Sequence, residues 1–296
     1  MHNYPFKLVD VFTDAPLEGN QLAVVFEADG LSDDRMQALA REFNYSETTF
    51  VLPPRNSKAD WRLRSFTPTA EVFGAGHNAL GAWWAIAESE IVSLKEGIND
   101  VYQELGERIL PLEIFQNNGK PEKIMMRQSE LVFGEVVKDK AGLAETLGLS
   151  ENDLTIDSIE PQAVSTGAFH LIVPVKSLKT LENVRVNPAQ LVEIARPTGC
   201  QGCYLFTLET IETDAAAHAR AFFPGIGISE DAATGSAAGP LAAYLVSRGI
   251  LPQNKSLIIE QGYQIGRPSR IEVLVSGNEV KVGGKSITVA EGTVKI

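Results

Sequence analysis

Two long uncharged stretches constrain this chain more than any other feature. Residues 79–87 and 237–246 contain no Asp, Glu, Lys or Arg, are rich in alanine, and each follows a glycine-containing turn. Alanine is the strongest helix former, and a helix without a polar face has to be buried on all sides. Both stretches are about half of the roughly 20 residues that cross a bilayer. They therefore predict two helices buried inside protein.

The sequence that leads into these helices is repeated at an interval of about 156 residues. The first copy has RSFTP at 64–68 and GAGH at 74–77, and the second has RAFFP at 220–224 and TGS at 234–236. Each copy is typical of a strand, a glycine turn and a buried helix. The repeat predicts two similar domains, each of which wraps a sheet or barrel around its own central helix.

The length of 296 residues also fits two domains. Residues 116–123, with two Asn, a Gly and a Pro, are predicted to be the linker, and the charged residues 91–108 a helical excursion on the surface. The predicted domains are 1–122 and 123–285. The last β-like run, within 286–296, fits either domain.

The clearest local signal is a helix at 32–43, because Ser32 is a good N-cap and apolar residues follow at helical spacing. Glu47 lies between this helix and the next strand, where a side chain is easily directed into a cleft. Further helices are predicted at 143–147 and 189–195, and strands at 6–12, 22–26, 48–52, 123–127, 163–175, 204–208, 257–261, 271–276 and 279–282.

Composition excludes several classes of partner. The formal net charge is −12, from 26 Lys and Arg against 38 Asp and Glu, and no basic run offsets it locally. We therefore expect no nucleic acid or anionic membrane as a partner. The first residues lack a basic stretch followed by an apolar one, which favours a cytoplasmic protein.

The only two cysteines, Cys200 and Cys203, exclude a disulfide framework. Their spacing resembles a redox motif or half of a zinc site, but no second cysteine pair or histidine cluster accompanies them. We favour two buried thiols that flank the start of a strand.

Groups suited to binding and proton transfer lie near both glycine turns. The N-terminus of a buried helix attracts a carboxylate, Gly76 and Gly235 let a ligand approach the backbone, and Ser236 adds a hydroxyl. His77 and the pair Glu230–Asp231 are ionisable. The alternatives are that the glycines only permit turns, that the histidine is a cap, and that the acidic pair matches the dipole of a first helical turn.

The local sequence resembles a known family. The resemblance is carried by VFT at 11–13 with GN at 19–20, SETTF at 46–50, RSFTP at 64–68 leading to Gly76 and His77, and GISEDAATGSA at 227–237. These motifs occur in the family's order over nearly the whole chain. On them the chain is identified as a member of the PhzF-like family, named for the isomerase of phenazine biosynthesis, with the diaminopimelate epimerase-like fold.

The resemblance implies an α+β fold of two pseudo-symmetric domains, each an open β-barrel around a central apolar helix, with the active site between them. It implies that 286–296 returns to the first domain and that the protein is a homodimer. In the phenazine enzyme a glutamate moves a proton between ring carbons of trans-2,3-dihydro-3-hydroxyanthranilate. The matching residues here are the catalytic Glu47, His77 and Asp231 and the substrate-binding Ser46, Gly76, Gly235 and Ser236.

A single carboxylate suffices for this chemistry, provided that burial raises the pKa of Glu47 towards the operating pH. No metal or organic cofactor is expected, and the partner is a small carboxylate substrate. The sequence departs from the family at Asn78 and Ala232, where proline is usual, which affects the choice of substrate more than the catalytic groups.

Two other functions stay open. One is an amino-acid-type epimerase that uses carboxylate or histidine bases, since neither glycine turn contains the cysteine that a two-thiol epimerase needs. The other is a non-catalytic small-molecule-binding member of the family.

Overall fold

The computed structural model describes residues 2–156 and 159–296, which form two compact units. Unit 1 comprises Met1–Arg127 and Gly283–Ile296, and unit 2 comprises Gln128–Val282. Strands predominate in both units and helices are few. The predicted α+β fold is confirmed in its coarser form, a mixed fold with extensive sheet and few helices.

Residues 2–127 alternate strands with two helices. The elements are β1 (Asn3–Val11), β2 (Asn20–Val25), α1 (Asp33–Phe43), β3 (Glu47–Leu52), β4 (Trp61–Phe66), β5 (Glu71–Val72), α2 (His77–Glu88), β6 (Gly97–Leu105), β7 (Arg108–Asn117) and β8 (Lys120–Arg127).

The rest of the chain contains the elements of unit 2 and one last strand. They are β9 (Val132–Val136), α3 (Lys140–Thr146), β10 (Gln162–Ser165), β11 (Phe169–Pro174), α4 (Leu178–Glu182), α5 (Pro188–Ala195), β12 (Cys203–Thr207), β13 (Ala217–Phe223), β14 (Ile228–Asp231), α6 (Gly235–Ser247), β15 (Ser256–Gln261), β16 (Ser269–Ser276), β17 (Glu279–Gly284) and β18 (Ser286–Lys295).

The strands of the two units pair in the same order. In unit 1, β1–β2 is antiparallel, β2–β3 parallel, β3–β4 antiparallel and β4–β6 parallel. In unit 2, β10–β11 is antiparallel, β11–β12 parallel, β12–β13 antiparallel and β13–β15 parallel. Strand β18 pairs antiparallel with β1, from Asn3 opposite Lys295 to Val11 opposite Ser286.

Helices α2 and α6 are the buried helices that the uncharged stretches predict. Ten of the 12 residues of α2 and 11 of the 13 residues of α6 are buried. Helix α2 packs against β1, β2, β3, β4, β8 and β18, and α6 against β10, β11 and β16. Each starts directly after its glycine turn or within it, as predicted.

Other helices cover the opposite faces of these strands. In unit 1, Met36, Leu39 and Ala40 of α1 pack with a group that includes Phe50 and Phe66. Ser32 is the N-cap of α1, since its hydroxyl accepts a hydrogen bond from the Arg35 N–H. In unit 2, α3 and α5 pack on β11 and β12 in the same way. The predicted helices at 32–43, 143–147 and 189–195 are thus confirmed.

Three local predictions are wrong. Residues 91–108 are not a helical excursion but contain β6 and the start of β7. Residues 116–123 are not a linker but a hairpin between β7 and β8, in which Asn118 and Gly119 both have positive φ, as the tightest hairpin turns require. The run 163–175 is two strands, β10 and β11, separated by a turn at Gly167.

Within the described ranges, none of the helices is both long and apolar enough to cross a membrane.

The burial of α2 makes a stability prediction. Ile86 is fully buried, whereas Ile98 on β6 is 65% exposed. Ile86→Ala is expected to lower the free energy of unfolding by about 2–5 kcal/mol, because it removes buried methyl groups and leaves a cavity. Ile98→Ala, the same chemical change, is expected to alter it by about 0.5 kcal/mol or less. Urea denaturation of both variants measures the difference, and equal losses would contradict the burial of α2.

Candidate functional site

Four of the predicted site residues lie together in unit 1. Ser46 and Glu47 lie at the start of β3, and Gly76 and His77 at the start of α2. The Nε2 atom of His77 is 3.3 Å from Ser46 Oγ and 3.8 Å from Glu47 Oε2. The Glu47 side chain keeps 19% of its surface exposed, so that its carboxylate is accessible to a ligand.

The turn before β2 brings Asn20 to this cluster. The sequence analysis did not single out Asn20 as a site residue. Gly19 has φ +67°, and a Cβ there would lie 2.3 Å from the Val11 carbonyl oxygen, so only glycine fits. Asn20 follows, is buried, and its Oδ1 lies 3.3 Å from Ser46 Oγ. The GN motif at 19–20 was the signal, but the sequence alone did not show that its asparagine contacts Ser46.

The contacts of Ser46 bear on which ring nitrogen of His77 carries the proton. Ser46 Oγ lies 3.3 Å from the carbonyl oxygen of Gln21 and from Asn20 Oδ1, both of which accept hydrogen bonds. When the hydroxyl proton is directed to either of these oxygens, Ser46 Oγ can accept from the Nε2–H of His77, which selects the tautomer protonated at Nε2. Glu47 Oε2 lies 3.8 Å from the same nitrogen, beyond hydrogen-bond distance.

Burial keeps His77 neutral. It lowers the pKa of the imidazole to about 4, because the charged form loses its hydration. At neutral pH the cluster thus consists of a neutral imidazole and a hydroxyl beside the partly exposed carboxyl group of Glu47. Such a cluster can hold a polar ligand and move a proton through Glu47.

The other three predicted residues lie in unit 2. Asp231 ends β14, and Gly235 and Ser236 begin α6. The Thr234 hydroxyl donates to Asp231 Oδ2 over 2.5 Å. Gly235 is buried and Ser236 is half-buried. These residues place a carboxylate and a hydroxyl near the positive end of a helix.

Gln261, which sequence reasoning missed, organises this part of unit 2. Its Nε2 donates to the Asp231 carbonyl and to Thr234 Oγ1, and its Oε1 accepts from the Thr234 N–H and the Tyr204 hydroxyl, at 2.8–3.0 Å. All four bonding positions of the amide are used. No local signal marks Gln261, because its partners are brought together only by the fold.

An arginine–glutamate pair supports the segment before each helix. In unit 1, Arg64 donates two hydrogen bonds to Glu71, both 2.7 Å, and in unit 2 Arg220 donates two to Glu230, both 2.8 Å. Each guanidinium also lies over the phenylalanine two residues later, at 5.2 and 5.0 Å. Glu230 thus belongs to β14 and to an ion pair, and the alternative that it serves a first helical turn is wrong.

The two thiols are unsuited to redox chemistry. Cys200 and Cys203 are free and buried, and β12 begins at Cys203, as the preferred interpretation predicts. Burial raises the pKa of both thiols, so that little thiolate is present at neutral pH. In the part of the chain that the structure describes, no group of three or more His, Cys, Asp or Glu side chains is placed to bind a metal ion.

Comparison with known proteins identifies the family. Residues 9–292 match the family model for phenazine biosynthesis-like proteins, PhzC-PhzF. The chain belongs to this family. It is 36% identical to an uncharacterized isomerase of Clostridium acetobutylicum (98% of this chain, 97% of the relative) and 34% identical to the trans-2,3-dihydro-3-hydroxyanthranilate isomerase of Pseudomonas aeruginosa (99% of each).

A solved structure agrees. The PhzF-family phenazine biosynthesis protein of Bacillus anthracis superposes with a TM-score of 0.89 at 31% identity over 100% of both chains. The resemblance deduced from the motifs is confirmed, and so is the prediction that the chain is an isomerase.

The pKa of His77 predicts a pH dependence of stability. In the unfolded chain the imidazole has a pKa of about 6.5, so between pH 6.5 and 4 the unfolded state binds a proton that the native His77 does not. The stability contribution of neutral His77 is complete above pH 6.5 and is lost as the pH falls. From pH 7 to pH 5 the wild type is expected to lose about 2 kcal/mol more unfolding free energy than His77→Gln.

Urea denaturation at both pH values measures this difference. His170, whose pKa burial also lowers to about 4, is common to both proteins and cancels. Equal pH dependence of the two proteins would show that native His77 titrates normally.

The burial of the thiols predicts slow chemical modification. In native protein, Cys200 and Cys203 are expected to react with an aromatic disulfide reagent at less than about one hundredth of the rate in urea, because both are buried and protonated. Absorbance of the released thiolate follows the reaction. Fast modification of the native protein would revive the redox interpretation.

Proposed function

We propose that the chain is a cofactor-independent isomerase that moves a proton on a small cyclic or unsaturated carboxylate, in the manner of trans-2,3-dihydro-3-hydroxyanthranilate isomerase. The observation that carries the proposal is the position of the accessible Glu47 carboxylate beside neutral His77 and Ser46, at 3.8 Å from the imidazole Nε2. The relative from Pseudomonas aeruginosa bears the name of that activity over nearly the full length of both chains.

In this proposal Glu47 is the only acid–base group that moves the proton. One oxygen of its carboxylate takes the proton from an sp³ ring carbon, and the electron pair of the C–H bond moves into the adjacent unsaturated system. The same carboxyl group returns the proton to another carbon of that system, so that double bonds shift without any change in oxidation state. A carboxyl group that performs both steps needs a pKa near the operating pH in the ligand complex.

The other site residues hold the ligand in this scheme. In the ligand complex His77 donates its Nε2–H to the ligand in place of Ser46 Oγ. Asp231 and Ser236 supply polar contacts at the start of α6, and Gly235 the close approach of the backbone. Gly76 leaves space for the ligand. The nearest atom to a Cβ at this position would be Asn78 Oδ1, at 3.8 Å, so the protein does not fill the space beside the Gly76 backbone.

The strand register argues against a second glutamate base related to Glu47 by the repeat. Phe66 pairs with Thr48 in unit 1, and Phe222, its counterpart in the repeat, pairs with Cys203 in unit 2. The position that corresponds to Glu47 is therefore Gly202, where a Cβ would lie 1.9 Å from the Phe222 carbonyl oxygen. Unit 2 has no room for a carboxylate at this position.

The remaining expectations are part of the same proposal. We propose that units 1 and 2 are two pseudo-symmetric domains, open barrels around α2 and α6, with residues 286–296 in the first. The boundary expected at 122/123 falls inside β8, so the domain limits move to those of the two units. We further propose a homodimer, a cytoplasmic location, and no nucleic acid or membrane as a partner.

The decisive experiment is proton NMR of trans-2,3-dihydro-3-hydroxyanthranilate with the protein in D₂O. The wild type is expected to shift the double bonds, and Glu47→Gln to lower the rate by about 10²–10⁴-fold, because the amide cannot accept the proton. Glu42→Gln, the same change at an exposed glutamate of α1, is expected to leave the rate unchanged.

Full turnover by Glu47→Gln would remove Glu47 from its role. Binding by the wild type without conversion would favour a non-catalytic binding protein. Deuterium at a stereocentre with inversion would favour the epimerase.

A further inference from the structure

Unit 1 contains a cavity of about 720 Å³ at the end of α2 that is opposite to the candidate site. Helix α2 begins at His77 and ends at Glu88, and its C-cap, Ser89, lines the cavity. The 12 residues of the helix span about 18 Å. The volume is typical of small-molecule sites. A ligand in this cavity would therefore be separate from a ligand at Glu47.

One wall of the cavity is apolar and includes three aromatic rings. Phe26 and Val51 are buried, Phe6 and Trp61 are half-buried, and Ile91 is exposed. Aromatic faces bind the apolar body of a ligand, and they also attract a positive charge, most strongly in the case of tryptophan. This wall suits an apolar ligand that is either neutral or cationic.

Three carboxylates make the rim of the cavity negative. Glu27, Asp29 and Glu291 line the cavity and are exposed. Among residues 2–156 and 159–296, no side chain or backbone group forms a hydrogen bond or ion pair with any of these carboxylates. Their charge is thus available to a ligand, and it favours a cation over a neutral molecule or an anion.

The lysine that lines the cavity does not cancel this charge. Lys7 Nζ lies 3.1 Å from Oε2 of Glu88, so its charge is already paired. The last carbonyl groups of a helix also carry a partial negative charge, which favours a cation near the end of α2. The cavity therefore combines an apolar wall with a negative rim and the negative end of a buried helix.

We propose that this cavity is a binding site for a small organic cation, a hydrophobic amine. Its apolar body lies against Phe6 and Trp61, and its ammonium group faces the carboxylates of the rim. A neutral molecule of the same shape gains only the apolar contacts, and an anion meets charge of its own sign. The site goes beyond the proposed isomerase activity and does not depend on it.

The test compares 2-phenylethylamine, which is protonated at neutral pH, with 2-phenylethanol, a neutral molecule of nearly the same shape. Calorimetry at low ionic strength measures both dissociation constants. The wild type is expected to bind the amine about tenfold more tightly than the alcohol, and added salt is expected to reduce this preference. Glu47→Gln is expected to bind both probes as the wild type does, because Glu47 does not line the cavity.

Two variants separate the charge of the rim from the apolar wall. The double variant Glu27→Gln, Glu291→Gln is expected to weaken binding of the amine about fivefold and to leave the alcohol unchanged. The double variant Glu107→Gln, Glu122→Gln removes the same charge at exposed positions outside the cavity and is expected to change neither. Trp61→Leu is expected to weaken both probes about fivefold. Circular dichroism identifies the folded variants.

Equal affinity of the wild type for the two probes would overturn the inference, as would the absence of binding. An equal loss of amine affinity in the two double variants would do the same, because the attraction would then come from the net charge of the protein. Light scattering tests whether another copy of the chain occupies the cavity. A wild-type dimer that dissociates on Trp61→Leu would show this and would also overturn the inference.

Discussion

The burial of two apolar helices is the constraint on which the rest of the structure depends. A helix without a polar face is stable only where protein surrounds it, and α2 and α6 meet this condition in their respective units. Burial also takes the helix ends away from water, so the first N–H groups require partners from the protein or a ligand. Four of the candidate site residues, Gly76, His77, Gly235 and Ser236, lie at these ends, where the first N–H groups have no partner within the helix.

Paired charges hold the segments that lead into the helices. Arg64 and Arg220 project from β4 and β13, and each binds a glutamate of the short strand that follows. A bidentate pair fixes both the direction and the distance of the segment, which a single lysine contact would not. The ion pairs thereby fix the segments before Gly76 and Asp231 relative to their own strands.

The sequence predicted the features whose cause is local. The N-cap at Ser32 and the uncharged composition of α2 require no knowledge of distant residues. Strand β6 was missed because two of its buried positions carry polar residues. Gln103 and Glu104 are buried, and the fold supplies their partners: Trp83 donates to Gln103, and the N–H groups of residues 55 and 56 donate to Glu104. Before those partners are known, such residues indicate a solvated surface.

The candidate site shows the same difference between features with a local cause and features that depend on distant residues. Glu47, His77 and Ser46 could be proposed from motifs, because the family resemblance is written in contiguous residues. The contact of Ser46 with the Gln21 carbonyl could not, since Gln21 lies in a neighbouring strand, β2. Gln261 could not either, because its four hydrogen bonds go to three residues, Tyr204, Asp231 and Thr234, that lie far from it in the sequence. Motifs thus identify the groups that carry chemistry, whereas the contacts that orient them depend on tertiary structure.

The two helix starts are capped by the same chemical group from different places. The Gly76 N–H of α2 donates to the carboxamide of Asn78, two residues away, and the Thr234 N–H of α6 donates to that of Gln261, on β15. A carboxylate in either position would neutralise the positive helix end and repel an anionic ligand. A carboxamide satisfies one donor and adds no charge, so the remaining N–H groups keep their attraction for an anion. In each unit, therefore, the helix start is made rigid without the loss of the electrostatic property that suits it to a small carboxylate.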